Sequence, residues 1–133
     1  MEMLLNYKFP KEMKICSKLE ISAIFNSGQR VRDHRIMLLG VRSKSENLRR
    51  FAVAISKKHG NAVKRVHIKR LCREALRFTQ HEMPSGLDII LFPRVGIEHE
   101  VEKIQKSLRK LAPKLLKRIN KADQESENIS ENE

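Results

Sequence analysis

Between residues 51 and 73 the chain carries seven basic side chains (Lys57, Lys58, Lys64, Arg65, Lys69, Arg70 and Arg73) and not one acid. The stretch opens as a strand and continues as a helix. In a strand over residues 49–57, Phe51, Val53 and Ile55 fall on one face, while Ala52, Ala54 and Ser56 fall on the other. The first face is bulky enough for a core. The second is nearly bare, so it either receives a closely packed helix or floors a groove. Residues 57–61 form a turn in which Gly60 supplies the flexible position, and Asn61 caps a helix running to about Gln80.

A helical wheel separates the faces of that helix. Ile68, Leu71, Cys72, Ala75 and Leu76 fall on the side that buries, and Lys69, Arg70, Arg73 and Arg77 on the other. Lys64 and Arg65 project on the apolar side in the first turn, where long stems can snorkel past the end of a core. An arginine fork suits two phosphate oxygens at once, and lysine supplies a mobile point charge. A face turned only to solvent would interleave Glu with Lys, yet Glu74 alone interrupts the basic residues before Glu82. The pattern therefore favours phosphate binding over a merely solvated surface.

The rest of the chain supplies the frame. Residues 1–13 read as a loose arm. Ser17 and Glu20 form a capping box for a short helix with Leu19, Ile21, Ala23, Ile24 and Phe25, closed by Gly28. A strand over residues 34–42 joins the strand at 49–57 through a polar turn at 43–48. Residues 87–92 are apolar except for Asp88, read as a turn or cap residue, and end at Pro93, as expected of a strand buried on both faces. A last helix begins near Glu98 with Val101, Ile104, Leu108 and Leu111 in one stripe, and Pro113 should kink or end it. Residues 121–133 are polar and acidic and read as a disordered tail. The order helix, strand, strand, helix, strand, helix predicts a two-layer α/β sandwich of the α+β kind, with a small mixed sheet, as one domain over residues 14–120.

Charge narrows the partner. The net charge is +12 over 133 residues. The last thirteen residues hold five acids and one base, so residues 1–120 carry 27 basic against 11 acidic side chains, a net of +16. Such an excess repels itself, and a phosphate backbone is its commonest reason. No apolar run approaches the roughly 20 residues of a spanning helix, and the N-terminus has no signal-like stretch. Cys16 and Cys72 lack metal-site spacing and read as packing residues in a reducing cytoplasm. The five histidines, His34, His59, His67, His81 and His99, are scattered and form no catalytic constellation. With acids missing from the basic stretch, no carboxylate cluster there suits Mg²⁺.

Residues 56–74 resemble the signature of the bacterial ribonuclease P protein component family: Lys57-Lys58 at the end of a strand, then Gly60-Asn61-Ala62-Val63, then a helix containing Ile68-Lys69-Arg70. The resemblance covers about residues 14–118, taking in the helix ending at Gly28, the strand pair, and Asp88-Ile89-Ile90-Leu91 followed by Arg94. It implies a left-handed crossover in the sandwich. It further implies that Lys57, Lys58, Asn61, Arg65, Lys69, Arg70 and Arg73, with Arg77 on the same face, contact the ribonuclease P RNA. Phe25, Leu39, Ala52, Ala54 and Ser56 would line a cleft for the single-stranded 5′ leader of precursor tRNA. Hydrolysis would belong to the RNA with Mg²⁺, leaving the protein no catalytic side chain, no metal or cofactor of its own, no small-molecule substrate, no membrane partner and a cytoplasmic location. Two departures stand out. The family's Arg-Asn-Arg is here Arg65-Val66-His67, with Val66 between Arg70 and Arg73, and positions usually aromatic in the family are Ile21 and Leu39, which predicts weaker leader binding. A ribosomal or RNA-chaperone protein would share the charge and the helix, but not the Gly-Asn-Ala-Val entry or the bare strand face. A helix-turn-helix DNA binder would need two adjacent helices, whereas strands flank this one.

Overall fold

The computed structural model describes residues 18–44, 46–47 and 49–131, with side chains from 19 to 125. The expected arm at 1–13, the Ser17 cap and Cys16 lie outside the described residues. Seven elements follow one another: α1 (Lys18–Ser27), β1 (Gln29–Arg32), β2 (Ile36–Arg42), β3 (Arg49–Val53), α2 (Ala62–Thr79), β4 (Leu87–Pro93) and α3 (Val101–Glu131). Short 3₁₀ turns at Lys57–His59 and Gln80–Glu82 flank α2.

The sheet runs β1-β2-β4-β3. β2 pairs antiparallel with both β1 and β4, while β3 lies parallel to β4. The strands expected at 34–42 and 49–57 are therefore consecutive in sequence but not neighbours in the sheet. β4 separates them because its residues are buried on both faces, all but Phe92 fully, and such a strand belongs in the interior. β3, with alanine on one face, takes an edge. The other edge, β1, was not foreseen: only Val31 of its four residues is buried.

β2 begins at Ile36 rather than at His34 because Asp33 makes a tight turn. Its carboxylate accepts the backbone N–H groups of Arg35 at 2.8 Å and Ile36 at 2.9 Å. Burial would raise this carboxyl. The Ile36 N–H, the Ser107 side chain, the Arg35 N–H and the Lys110 ammonium outweigh that and hold it below its ordinary value. A depressed carboxylate stabilises the fold above the unfolded value of 3.8, and the contribution is lost as pH falls through the folded value. Asp33→Asn should thus lower stability at pH 7 and flatten the acid limb of the urea midpoint against pH below about pH 4. An unaltered acid limb would contradict this assignment.

α2 and α3 cover one face of the sheet. There Leu38, Phe51, Ile89 and Leu91 meet Cys72, Leu76, Ile104 and Leu108 in one core. Burial pushes the Cys72 thiol up to about 12, so it packs as a small apolar group and not as a nucleophile. α1 lies on the opposite face, where Ile24 closes over Leu39 and Ile90, with Ala52 and Ala54 at its margin. The bare face of β3 thus sits beside a packed helix and remains half open.

α3 runs through Pro113, where the helix was expected to kink or end, and its helical backbone continues to Glu131. Proline costs a helix interior about 3 kcal/mol. Here Leu108, Leu111 and Ala112 before it, and Leu115 and Ile119 after it, are all buried against the sheet and α2, which holds both halves in one stripe. Beyond residue 120 the helix is tied to β2, since Arg42 donates to Asp123 at 3.0 Å and also to the Asn120 side chain.

Asp88 is likewise no turn residue. It stands inside β4 opposite Arg50 of β3, and its carboxylate receives Arg50 Nε at 3.0 Å, Arg50 Nη2 at 2.7 Å and the Ser43 hydroxyl at 2.7 Å. Arg50 also reaches Glu20 of α1 at 2.8 Å. This chain of charges pins the first turn of α1 to the sheet.

Candidate nucleic-acid interface

The basic surface begins where β3 stops pairing. Ala54 donates the last ladder bond to Leu91, and the chain turns through Lys57–His59. His59 locks the turn: it accepts the Ser56 N–H at Nδ1 (3.2 Å), leaving Nε2–H to donate to the Pro93 carbonyl at 2.8 Å. Gly60 follows with φ 120°, and a β-carbon there would approach Lys64 Cδ to 2.9 Å, so only glycine fits the entry to α2. Asn61 then caps the helix, its side-chain oxygen accepting the Lys64 N–H at 2.9 Å. The amide expected to touch RNA therefore spends its oxygen on the cap and keeps its NH₂ exposed.

Lys57, Lys58, Lys64, Lys69, Arg70 and Arg73 are all exposed, and none pairs with an acid among the described residues. Arg65 is half-buried, with a buried Nε that has no hydrogen-bond partner among the described residues. Arg77 is drawn away from that face: Glu74 takes its Nη2 at 2.6 Å, and its guanidinium lies 4.3 Å from the Phe78 ring centre. Val66 stands 62% exposed among these cations, where the helical wheel placed it.

Residues 94–99 add a wall that the sequence did not suggest. Val95, Gly96 and Ile97 face Lys58, Lys64 and His67 across a groove of about 710 Å³. His99 lies in the same groove, where burial, opposed by its bond to the Arg94 carbonyl and assisted by Arg35 and His59, lowers its pKa.

On the α1 face the expected cleft residues divide. Ala52 and Ala54 are half-buried, Ser56 is exposed, and Phe25 is 44% exposed. Leu39 is fully enclosed, covered by Ile24 of α1 and flanked by Ile90 of the neighbouring strand, so it lies below the exposed surface of this face. A ring missing at position 39 therefore says nothing about stacking. The aromatic that sequence reasoning missed is Phe92, whose ring meets Phe25 edge-on at 5.5 Å. Two-residue alternation along β4 places Phe92 on the face of Ile90, and that signal was available.

Among the described residues, no group of three or more His, Cys, Asp or Glu is placed to hold a metal ion. No helix among the described residues is long and apolar enough to cross a membrane.

A helix whose exposed Lys64, Lys69, Arg70 and Arg73 pair with no acid among the described residues, beside a mixed sheet with a small-residue face and two aromatic rings, defines a polyanion-binding α+β protein. The family profile described as Ribonuclease P matches residues 9–119. A ribonuclease P protein component from Brevibacillus brevis is 33% identical over 90 residues, covering 67% of this chain and 71% of that protein. One from Erwinia tasmaniensis is 33% identical over 108 residues, covering 77% and 87%. Among solved structures, the Staphylococcus aureus RNase P protein superposes with a TM-score of 0.65 at 28% identity, covering 80% of this chain and 94% of that one. The Thermotoga maritima RNase P protein gives 0.67 at 21% identity, covering 74% and 94%. The chain belongs to the ribonuclease P protein family.

Proposed function

We propose that the chain acts as the protein subunit of a bacterial ribonuclease P, promoting removal of the 5′ leader from precursor tRNA. The observation that carries this reading is the row of exposed cations Lys57, Lys58, Lys64, Lys69, Arg70 and Arg73, none paired with an acid among the described residues. The turn at Lys57–His59 joins this row to the segment bearing Ala52 and Ala54 on the face away from α2. The cations would neutralise phosphates of the catalytic RNA and release its counterions. The small-residue floor would admit a single-stranded leader, with Phe25 and Phe92 offering ring faces or edges to its bases at about 1–3 kcal/mol per stacked base. Hydrolysis would fall to the RNA and its Mg²⁺, while the protein positions the substrate and reduces repulsion between two polyanions.

Reconstitution tests this. Purified protein, a bacterial ribonuclease P RNA and a precursor tRNA, mixed at low Mg²⁺, should release the leader only when protein and RNA are both present. Tight RNA binding without any gain in cleavage would instead mark a general RNA-binding protein.

A further inference from the structure

α2 is not the only acid-free row of cations. Between Glu102 and Asp123, α3 carries basic residues and no acid. Lys103, Lys106, Lys110, Lys114 and Lys117 recur at intervals of three and four, so they form one exposed ridge about 21 Å long beside the buried stripe. Lys110 and Lys103 are partly spoken for, lying 3.9 Å from Asp33 and 3.8 Å from Glu100.

Lys114 and Lys117 are not. With Arg118 they line a groove of about 610 Å³ at the β1 edge of the sheet, together with Arg30, Val31, Arg32, Met37 and Leu111. No acid lines this groove, and Arg30, Arg32, Lys114 and Lys117 pair with none among the described residues. β1 has a neighbour on one side only, and Arg118 donates to the Arg30 carbonyl.

Charge on a sheet edge also discourages strand pairing between molecules. That purpose needs Arg30 and Arg32 alone and gives no reason for the lysine ridge on α3. Cations converging from two elements on a concave, acid-free groove call for an extended polyanion.

We propose that the β1–α3 groove is a second binding site for an RNA backbone, at the sheet edge opposite α2. α2 packs beside β3 and α3 beside β1, the two ends of the sheet order. One molecule then holds RNA segments at both edges, with the α1 face between them. Contacts of such cations with phosphates position a backbone and carry no sequence information.

The test is binding of a short single-stranded oligouridylate to the full chain across a salt series. Arg30→Gln with Lys117→Gln should weaken binding and reduce the slope of log affinity against log salt by about 1.4, two released counterions at about 0.7 each. Lys114→Gln with Lys117→Gln, which leaves β1 untouched, should give the same reduction. The control pair Lys44→Gln with Arg109→Gln removes equal charge from positions beside Glu20 and Glu82 and should leave the slope nearly unchanged. Equal losses from groove and control pairs would reduce the effect to net charge and overturn the site. An unchanged slope in the groove pairs would overturn it too, leaving Arg30 and Arg32 as guards of the strand edge. Leader removal is not part of this readout, so the groove stands or falls independently of the reconstitution result.

Discussion

Asp88→Ala is expected to destabilise the fold by about 3–5 kcal/mol, the cost of leaving one member of a buried ion pair behind. That is a large part of the roughly 5–15 kcal/mol typical of a domain. Arg50 cannot escape by losing its proton. The Asp88 carboxylate, opposed by burial and assisted by Glu20, raises the Arg50 pKa above an already high value. The guanidinium side chain, only 15% exposed, would keep its charge with Glu20 as its remaining acid. Urea denaturation should show the drop, and Asp88→Asn should show a smaller one because it still accepts hydrogen bonds. Asp88→Ala combined with Arg50→Met should recover much of the loss, since an apolar pair removes the stranded charge. A single variant within about 1 kcal/mol of the parent would show that the pair carries little. If the α1 face holds the leader as proposed, the same variant should weaken leader binding more than binding to ribonuclease P RNA, because Glu20–Arg50–Asp88 ties α1 to the sheet while α2 packs on the other face.

Arg70→Ala with Arg73→Ala should have the largest effect on RNA. Both side chains are exposed and unpaired with acids among the described residues, so the thermal midpoint should hardly move. Affinity for a structured ribonuclease P RNA should fall, and the salt slope should drop by about 1.8, two contacts at about 0.9 each. The loss should be nearly uniform across RNA sequences, as phosphate contacts carry no base information. Arg77→Ala is the contrasting variant. Its guanidinium is engaged by Glu74 and Phe78, so its removal should cost less RNA affinity per charge than either of the other two. Equal losses at all three positions would show that RNA draws Arg77 out of its local contacts.

What the residues revealed unaided follows from the range of the forces involved. The Asn61 cap, the buried stripe of α2 and its acid-free face are set within one helix, and all could be read directly. The interior character of β4 was plain from its run of apolar residues. β1 escaped because Gln29, Arg30 and Arg32 give it no apolar pattern of its own; pairing with β2 makes it a strand. Asp88 was misread because its partner Arg50 lies 38 residues away, beyond any local rule. The kink or end expected at Pro113 rested on a local penalty; the helix continues because contacts with distant residues outweigh it. At the candidate site the cations of α2 were legible. The enclosure of Leu39, the Phe25–Phe92 contact and the wall at residues 94–99 depend on how three segments meet in space.

The position of β4 between β2 and β3 has a consequence for the order of assembly. Its outermost pairing with β2 joins Ile36 to Pro93, 57 residues apart, and its pairing with β3 must close a loop that contains the whole of α2. Pairing over such separations is slow, because the entropy of closure comes before the contacts that reward it. A chain emerging from the ribosome has no centre to its sheet until Pro93 is free. The helix that bears the basic face is itself part of the crossover that completes the sheet. Nascent chains shorter than this would offer cations to RNA from an unformed scaffold, and RNA that favours the finished surface would pull the last step of folding forward.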